Sequence, residues 1–146
     1  MTLRPSFWWL PNLSDFIITS EPSSSYNCIA WALGDDSQWF DPMVANAYWP
    51  DNLPNELTLD SIVELFRQAG YEVCSDGSLQ AGHEKIAIYA KDGAPTHAAR
   101  QLENGQWTSK LGNFHDIEHD SLEALQGDGY GEYGGVELFM VRPIGA

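Results

Sequence analysis

Two side chains in this 146-residue sequence, Cys28 and His97, are suited to nucleophilic chemistry. Cys28 stands in Ser24-Ser25-Tyr26-Asn27-Cys28-Ile29-Ala30-Trp31-Ala32-Leu33-Gly34, where a serine-rich lead gives way to a short apolar run closed by glycine. The pattern predicts a loop entering a buried helix, with Cys28 at or just inside the first turn and Gly34 as the left-handed stop. The first N–H groups of a helix have no partner within it and carry the positive end of its dipole. Both effects favour thiolate over thiol, so a lowered Cys28 pKa is expected. The same N–H groups suit a developing oxyanion, formed from the Cys28 backbone with a side-chain donor from Asn27. Asn27 is equally suited to cap the helix, and a cysteine in this place also fits a simple packing role.

His97 lies in Ala94-Pro95-Thr96-His97-Ala98-Ala99-Arg100-Gln101-Leu102, which reads as a strand. Asn104-Gly105 is a two-residue hairpin signal, and Gln106–Leu111 would be the returning strand. With that turn Arg100 faces Ser109, Ala98 faces Leu111 and His97 faces Gly112, leaving room beside the imidazole. Side chains alternate, so His97, Ala99 and Gln101 share one face. The small Ala99 would let the Cys28 helix lie close against His97, and thiol and imidazole would meet. An imidazole that accepts a thiol proton needs an orienting group on its other nitrogen. The candidates after the hairpin are Ser109, Asn113, Asp116, Glu118 and His119, with Asn113 first by register, then Asp116 and His119 in a turn.

The surrounding elements follow from periodicity. Leu59, Ile62, Val63 and Phe66 mark a helix over 58–69, with Thr58 as N-cap and Gly70 as stop. Tyr71–Cys74 alternates as a strand and places Cys74 in the core. Residues 75–83 form a polar loop, and Lys85–Ala90 and Val136–Arg142 read as further strands. Asp120–Leu125 reads as a short helix stopped by Gly127. Residues 1–23 are expected as an arm over the core, with Phe7, Trp8, Trp9 and Leu10 packed down. Residues 35–57 form a long aromatic loop in which Trp49, with Trp107 from the hairpin, would wall a substrate groove. Helices followed by an antiparallel sheet make the fold class α+β, in one domain spanning 1–146.

The segments Tyr-Asn-Cys28-Ile-Ala-Trp-Ala and Pro-Thr-His97-Ala-Ala-Arg, in that order, resemble the papain-like cysteine hydrolase superfamily in its compact bacterial, NlpC-like form. Trp107-x-Ser109-Lys110-Leu111-Gly112 is similar to small uncharacterised bacterial proteins of this type. The resemblance covers roughly residues 24–120. It implies a papain-like fold, with a helix-borne cysteine packed on an antiparallel sheet that carries histidine and a third polar residue. The implied activity is a cysteine-dependent amide or isopeptide hydrolase or acyltransferase, of peptidase, amidase or deamidase type, with no cofactor. The chain departs from the pattern in lacking a clear third residue, an export signal and a cell-wall-binding module, which argues against a peptidoglycan substrate.

Composition narrows the partners. A net charge of −14 repels nucleic acid and anionic membranes. It favours a peptide, protein or amine-bearing small-molecule substrate, or a basic protein partner. The proline-bounded N-terminus does not read as a signal peptide, so a cytoplasmic protein with Cys28 and Cys74 as free thiols is expected. Two other readings compete. His115, Asp116, His119 and Asp120 offer metal-ligand types, though they fit solvated turn residues better and no metal is expected. An acidic binding protein of toxin-immunity type, or a papain-like domain without activity, would need no nucleophile.

Overall fold

The structure is a computed structural model and describes residues 10, 13, 16–127 and 132–144. The expected packing of Phe7, Trp8 and Trp9 lies outside the described residues. The elements in chain order are β1 (Phe16–Ile18), α1 (Cys28–Leu33), α2 (Leu59–Gln68), β2 (Glu72–Cys74), β3 (His83–Lys91), β4 (Ala94–Gln101), β5 (Trp107–Lys110), β6 (Asp116–His119), a 3-10 turn (Glu123–Leu125) and β7 (Gly135–Pro143). The strands form one seven-stranded antiparallel sheet in the order β1-β6-β5-β4-β3-β7-β2. The fold class is α+β, dominated by sheet.

Both helices form where their capping residues direct. Asn27 Oδ1 accepts the Ala30 N–H at the start of α1, and Gly34 ends it at φ 87°. In α2, Thr58 Oγ1 accepts the Ser61 N–H at 3.1 Å while Ser61 Oγ accepts the Thr58 N–H at 2.9 Å. A cap of this kind contributes about 1 kcal/mol. Ile62, Leu65 and Phe66 of α2 and Ile29 and Ala30 of α1 pack on Ile86, Ile88, Ala98 and Met140 of the sheet. The other sheet face carries Ala87, Tyr89, Ala99, Trp107 and Ile117, and is covered by Leu10, Leu111 and Leu125. Burying apolar side chains on both faces supplies the main driving force, at about 25 cal/mol per Å².

The hairpin differs from expectation by one residue. Leu102 N–H donates to Gln106 O at 2.7 Å and Gly105 N–H to Leu102 O at 2.9 Å, so Glu103, Asn104 and Gly105 form a three-residue loop. Gly105 takes φ 87°, a conformation that glycine adopts without strain. Arg100 therefore faces Thr108, not Ser109, and Gln101 faces Trp107. A slip of one residue exchanges the faces of a strand. Separately, Ala98 and not Ala99 lies against the helices; Ala99 packs in the opposite cluster, and His97, which alternates with Ala98, turns to that side against Tyr89 and Tyr133 and not, as expected, onto the face that α1 covers.

Three further elements differ. Residues 116–119, expected as a turn, are strand β6, paired with both β5 and β1. The helix expected over 120–125 is only the 3-10 turn at 123–125. Cys74, expected in the core, is half-buried on the edge strand β2.

Candidate active site

The ladder geometry at β4 explains where the Cys28 thiol goes. In an antiparallel strand, N–H groups on one side recur at every second residue. Leu102 N–H points toward β5, so the N–H groups of Arg100 and Ala98 point the same way. Pairing of β4 with β5 runs through Arg100 and Gln101, and Ala98 lies beyond it. The Cys28 sulfur lies near that place, where the backbone N–H groups of Ala98, Ile29 and Cys28 act on it to favour the thiolate. Trp31 fixes the helix there, donating from Nε1 to Thr108 Oγ1 at 2.9 Å and accepting Arg100 Nε–H on its carbonyl at 3.2 Å.

Cys28 and His97 line one cavity of about 180 Å³. Its walls are Trp39, Phe40, Leu57 and Ile62, and Pro95, Thr96 and Gly112 also border it. The wall from the long loop is held by Asn27, whose Nδ2–H donates to Phe40 O at 2.7 Å and whose Oδ1 accepts the Phe40 N–H at 3.2 Å. Asn27 therefore caps α1 and latches the loop through one Nδ2 hydrogen, and it also borders the cavity beside Cys28. The donors that face the sulfur are the three backbone N–H groups.

His97 is 3% exposed, and no described residue hydrogen-bonds either ring nitrogen. Aromatic rings hold it instead. Tyr133 stacks on the imidazole at 4.2 Å between centroids with 15° between planes, and Tyr89 meets it edge-on at 5.4 Å. The Tyr133 carbonyl in turn accepts the Thr96 hydroxyl at 2.5 Å. Ring stacking fixes the imidazole plane without using either nitrogen.

Burial dominates the electrostatics. It pushes the Cys28 thiol up, against the opposing N–H groups of Ala98, Ile29 and Cys28 and the charge of Lys110. This corrects the lowered pKa expected from the helix start: desolvation outweighs the donors. Burial also pushes His97 down to about 3, with the nearby His119 acting in the same direction. The resting pair is a neutral thiol and a neutral imidazole.

The predicted orienting residues fall in three different places. Asn113 is exposed on the surface, because β5 ends at Lys110 and the chain turns over 111–115, where the Leu111 N–H donates to His115 O at 3.0 Å. Asp116 is buried on the helix side, where its Oδ2 accepts the Tyr26 hydroxyl at 2.7 Å. His119 is the predicted residue whose charge reaches His97, but its Nε2 meets Ser109 Oγ at 2.8 Å and its Nδ1 meets Ser121 O at 2.9 Å. None of the three is bonded to the imidazole. The alternation along β6 also sends Asp116 and His119 to opposite faces, which separates the proposed metal ligands. Among the described residues no group of three or more His, Cys, Asp or Glu could hold a metal ion.

Neither predicted groove wall lines the cavity. Trp49 donates from Nε1 to Pro54 O at 3.0 Å and packs beside the helix-side core, leaving Trp39 as the loop tryptophan at the site. Trp107 is 5% exposed in the opposite cluster, close to Phe139. The sequence reading also missed Lys110 and Tyr133. Lys110 is fully buried, donates from Nζ to Ser23 O and Gly112 O at 2.7 Å each, and lies 4.8 Å from the Tyr26 ring centroid. A strand that alternates Thr108 and Lys110 with Trp107 and Ser109 has no simple apolar face, and that was the available signal of a polar contact beneath a helix.

The chain belongs to the family described as Domain of unknown function (DUF7689), whose model matches residues 17–140. Comparison with curated proteins and with solved structures gives no match. No helix among the described residues is long and apolar enough to cross a membrane.

Proposed function

We propose that this member of the DUF7689 family is a cysteine-dependent acyl-transferring enzyme of papain-like fold, an amide or isopeptide hydrolase or an acyltransferase. Cys28 attacks the carbonyl of the acyl donor. His97 takes the thiol proton and delivers it to the leaving group. The N–H groups facing the sulfur hold the oxyanion. One observation carries the reading: a buried imidazole with both nitrogens unbonded by any described residue shares a small cavity with a thiol. A histidine that only filled space would normally have its polar atoms bonded, since an unmet buried nitrogen costs about 1–3 kcal/mol.

The test is single-turnover acylation by an activated ester, followed by intact mass. Wild-type protein should form a thioester on Cys28 that hydroxylamine removes. Cys28→Ala should form none, and His97→Ala should slow it by about 100-fold or more, the usual scale of general-base catalysis. Acylation of Cys28 at the same rate in His97→Ala would sink the pair.

A second reading is favoured by the charge of −14 and by Met43, Val44 and Tyr48, which are exposed together on the long loop. A binding protein for a basic partner would use that surface and would retain its complex in Cys28→Ala.

A further inference from the structure

The cavity around Cys28 also limits what it can hold. A cavity of about 150 Å³ lined by aliphatic and aromatic side chains takes a benzene molecule. The 180 Å³ here leaves space for about six to eight heavy atoms on the same scale. Its walls are mostly apolar, from Ile29, Trp39, Phe40, Leu57, Ile62 and Pro95. Among the described residues no lysine or arginine lines it, and Asp41 is the one ionisable group there besides Cys28 and His97. Lys110 does not line the cavity, and its ammonium is engaged with the carbonyls of Ser23 and Gly112.

An anionic group entering this space would lose its hydration with no cation to meet it, next to the Asp41 carboxylate. An uncharged aliphatic or aromatic chain would replace water against apolar walls. We infer that the cavity is an acyl pocket for a compact, neutral, apolar acyl group, carried to Cys28 as an ester, thioester or amide. The inference rests on the reading of Cys28 as the nucleophile. Cys28 Sγ forms a bond to the acyl carbonyl carbon while the bond from that carbon to the leaving group breaks. The thiol proton passes through His97 to the leaving group. Water, or an amine in a transferase, then attacks the thioester, releases the acyl product and returns the proton to the sulfur.

The experiment uses p-nitrophenyl acetate, butyrate, hexanoate and decanoate, together with mono-p-nitrophenyl glutarate as an anionic chain of similar length. Each rate of nitrophenolate release is divided by the rate of the same ester with a free thiol in solution. Each methylene buried adds up to about fourfold. Hexanoate should therefore exceed acetate by at least about tenfold, exceed the glutarate ester by at least about tenfold, and exceed decanoate, which overfills the space. Leu57→Trp should move the optimum to a shorter chain; if that variant does not fold, the wild-type series decides alone. A glutarate ester as fast as hexanoate, or rates that keep rising through decanoate, would overturn the acyl pocket. If Cys28→Ala reacts as fast as wild type, the nucleophile reading fails. If the reaction needs Cys28 but shows no preference for chain, the acyl pocket fails and the nucleophile reading stands.

Discussion

Replacing His97 by phenylalanine separates chemical from packing roles for this residue. Phenylalanine retains a flat ring between Tyr133 and Tyr89, so the stack should survive. It removes two nitrogens that no described residue bonds. At pH 7 the variant should be as stable as wild type or more so, by up to about 2 kcal/mol. The pH dependence is the sharper test. His97 has its pKa lowered from 6.5 to about 3 by burial and by His119. Above about pH 6.5 the imidazole is neutral in both states and contributes nothing to the pH dependence. As pH falls, the unfolded chain takes up a proton that the folded chain refuses until about pH 3. The folded state then loses about 1.4 kcal/mol per pH unit, or about 2 kcal/mol between pH 7 and pH 5. Urea unfolding of wild type and His97→Phe at both pH values measures this directly. The variant should lose about 2 kcal/mol less than wild type over that interval. His119, whose pKa burial also lowers, leaves some acid sensitivity in both proteins. Equal losses would show that His97 is not a buried neutral imidazole, and the argument from its unbonded nitrogens would fail.

Three other outcomes follow from the site and its supports. Because burial raises the Cys28 pKa, iodoacetamide should label Cys28 slowly at pH 7, and the rate should still be rising above pH 9; a plateau below pH 8 would contradict the desolvated thiol. Asn27→Ala removes the α1 cap and the latch to Phe40, and should cost about 2 kcal/mol in urea unfolding and slow Cys28 acylation; an unchanged midpoint would show the latch to be idle. Gly134 has φ 78°, and a Cβ there would clash with the Ala90 carbonyl oxygen, so Gly134→Ala should lower the melting temperature by several degrees and, by shifting Tyr133, weaken acylation. An unchanged melting temperature would contradict that clash.

Local signals were legible where the cause is local. Asn27, Gly34, Thr58 and the 3.6-residue spacing of α2 each act over a few residues, and those helices form as read. The hairpin was read from Asn104-Gly105, a pair that serves both two-residue and three-residue loops. The choice between them is made by Leu102 pairing with Gln106, which the sequence does not display. That slip changed the partners of Arg100 and Gln101, while Asn113 was misplaced because β5 ends at Lys110 and the chain turns. Strand β6 escaped because Asp116-Ile117-Glu118-His119 has one strongly apolar residue in four, and its buried polar side chains are stabilised by distant partners such as Tyr26 and Ser109. The lowered Cys28 pKa failed for a related reason. Helix position can be read from sequence, but the desolvation of the half-buried thiol that outweighs it comes from tertiary packing.

The place of β7 between β3 and β2 bears on how the chain acquires its fold. Strand β3 finds β4 across a tight turn at Asp92-Gly93, yet its other edge is completed by β7, with Ile88 facing Leu138. Among the described residues, strand β2 pairs with β7 and with no other strand. On a translating ribosome, the β3–β4 hairpin can form early, but the open edge of β3 must wait until residue 143 has cleared the exit tunnel. During that interval the hydrogen-bonding edge beside Ile86 and Ile88 is unpaired and prone to self-association. The sheet therefore closes in one late, long-range step, and folding should be slow for a chain of this size.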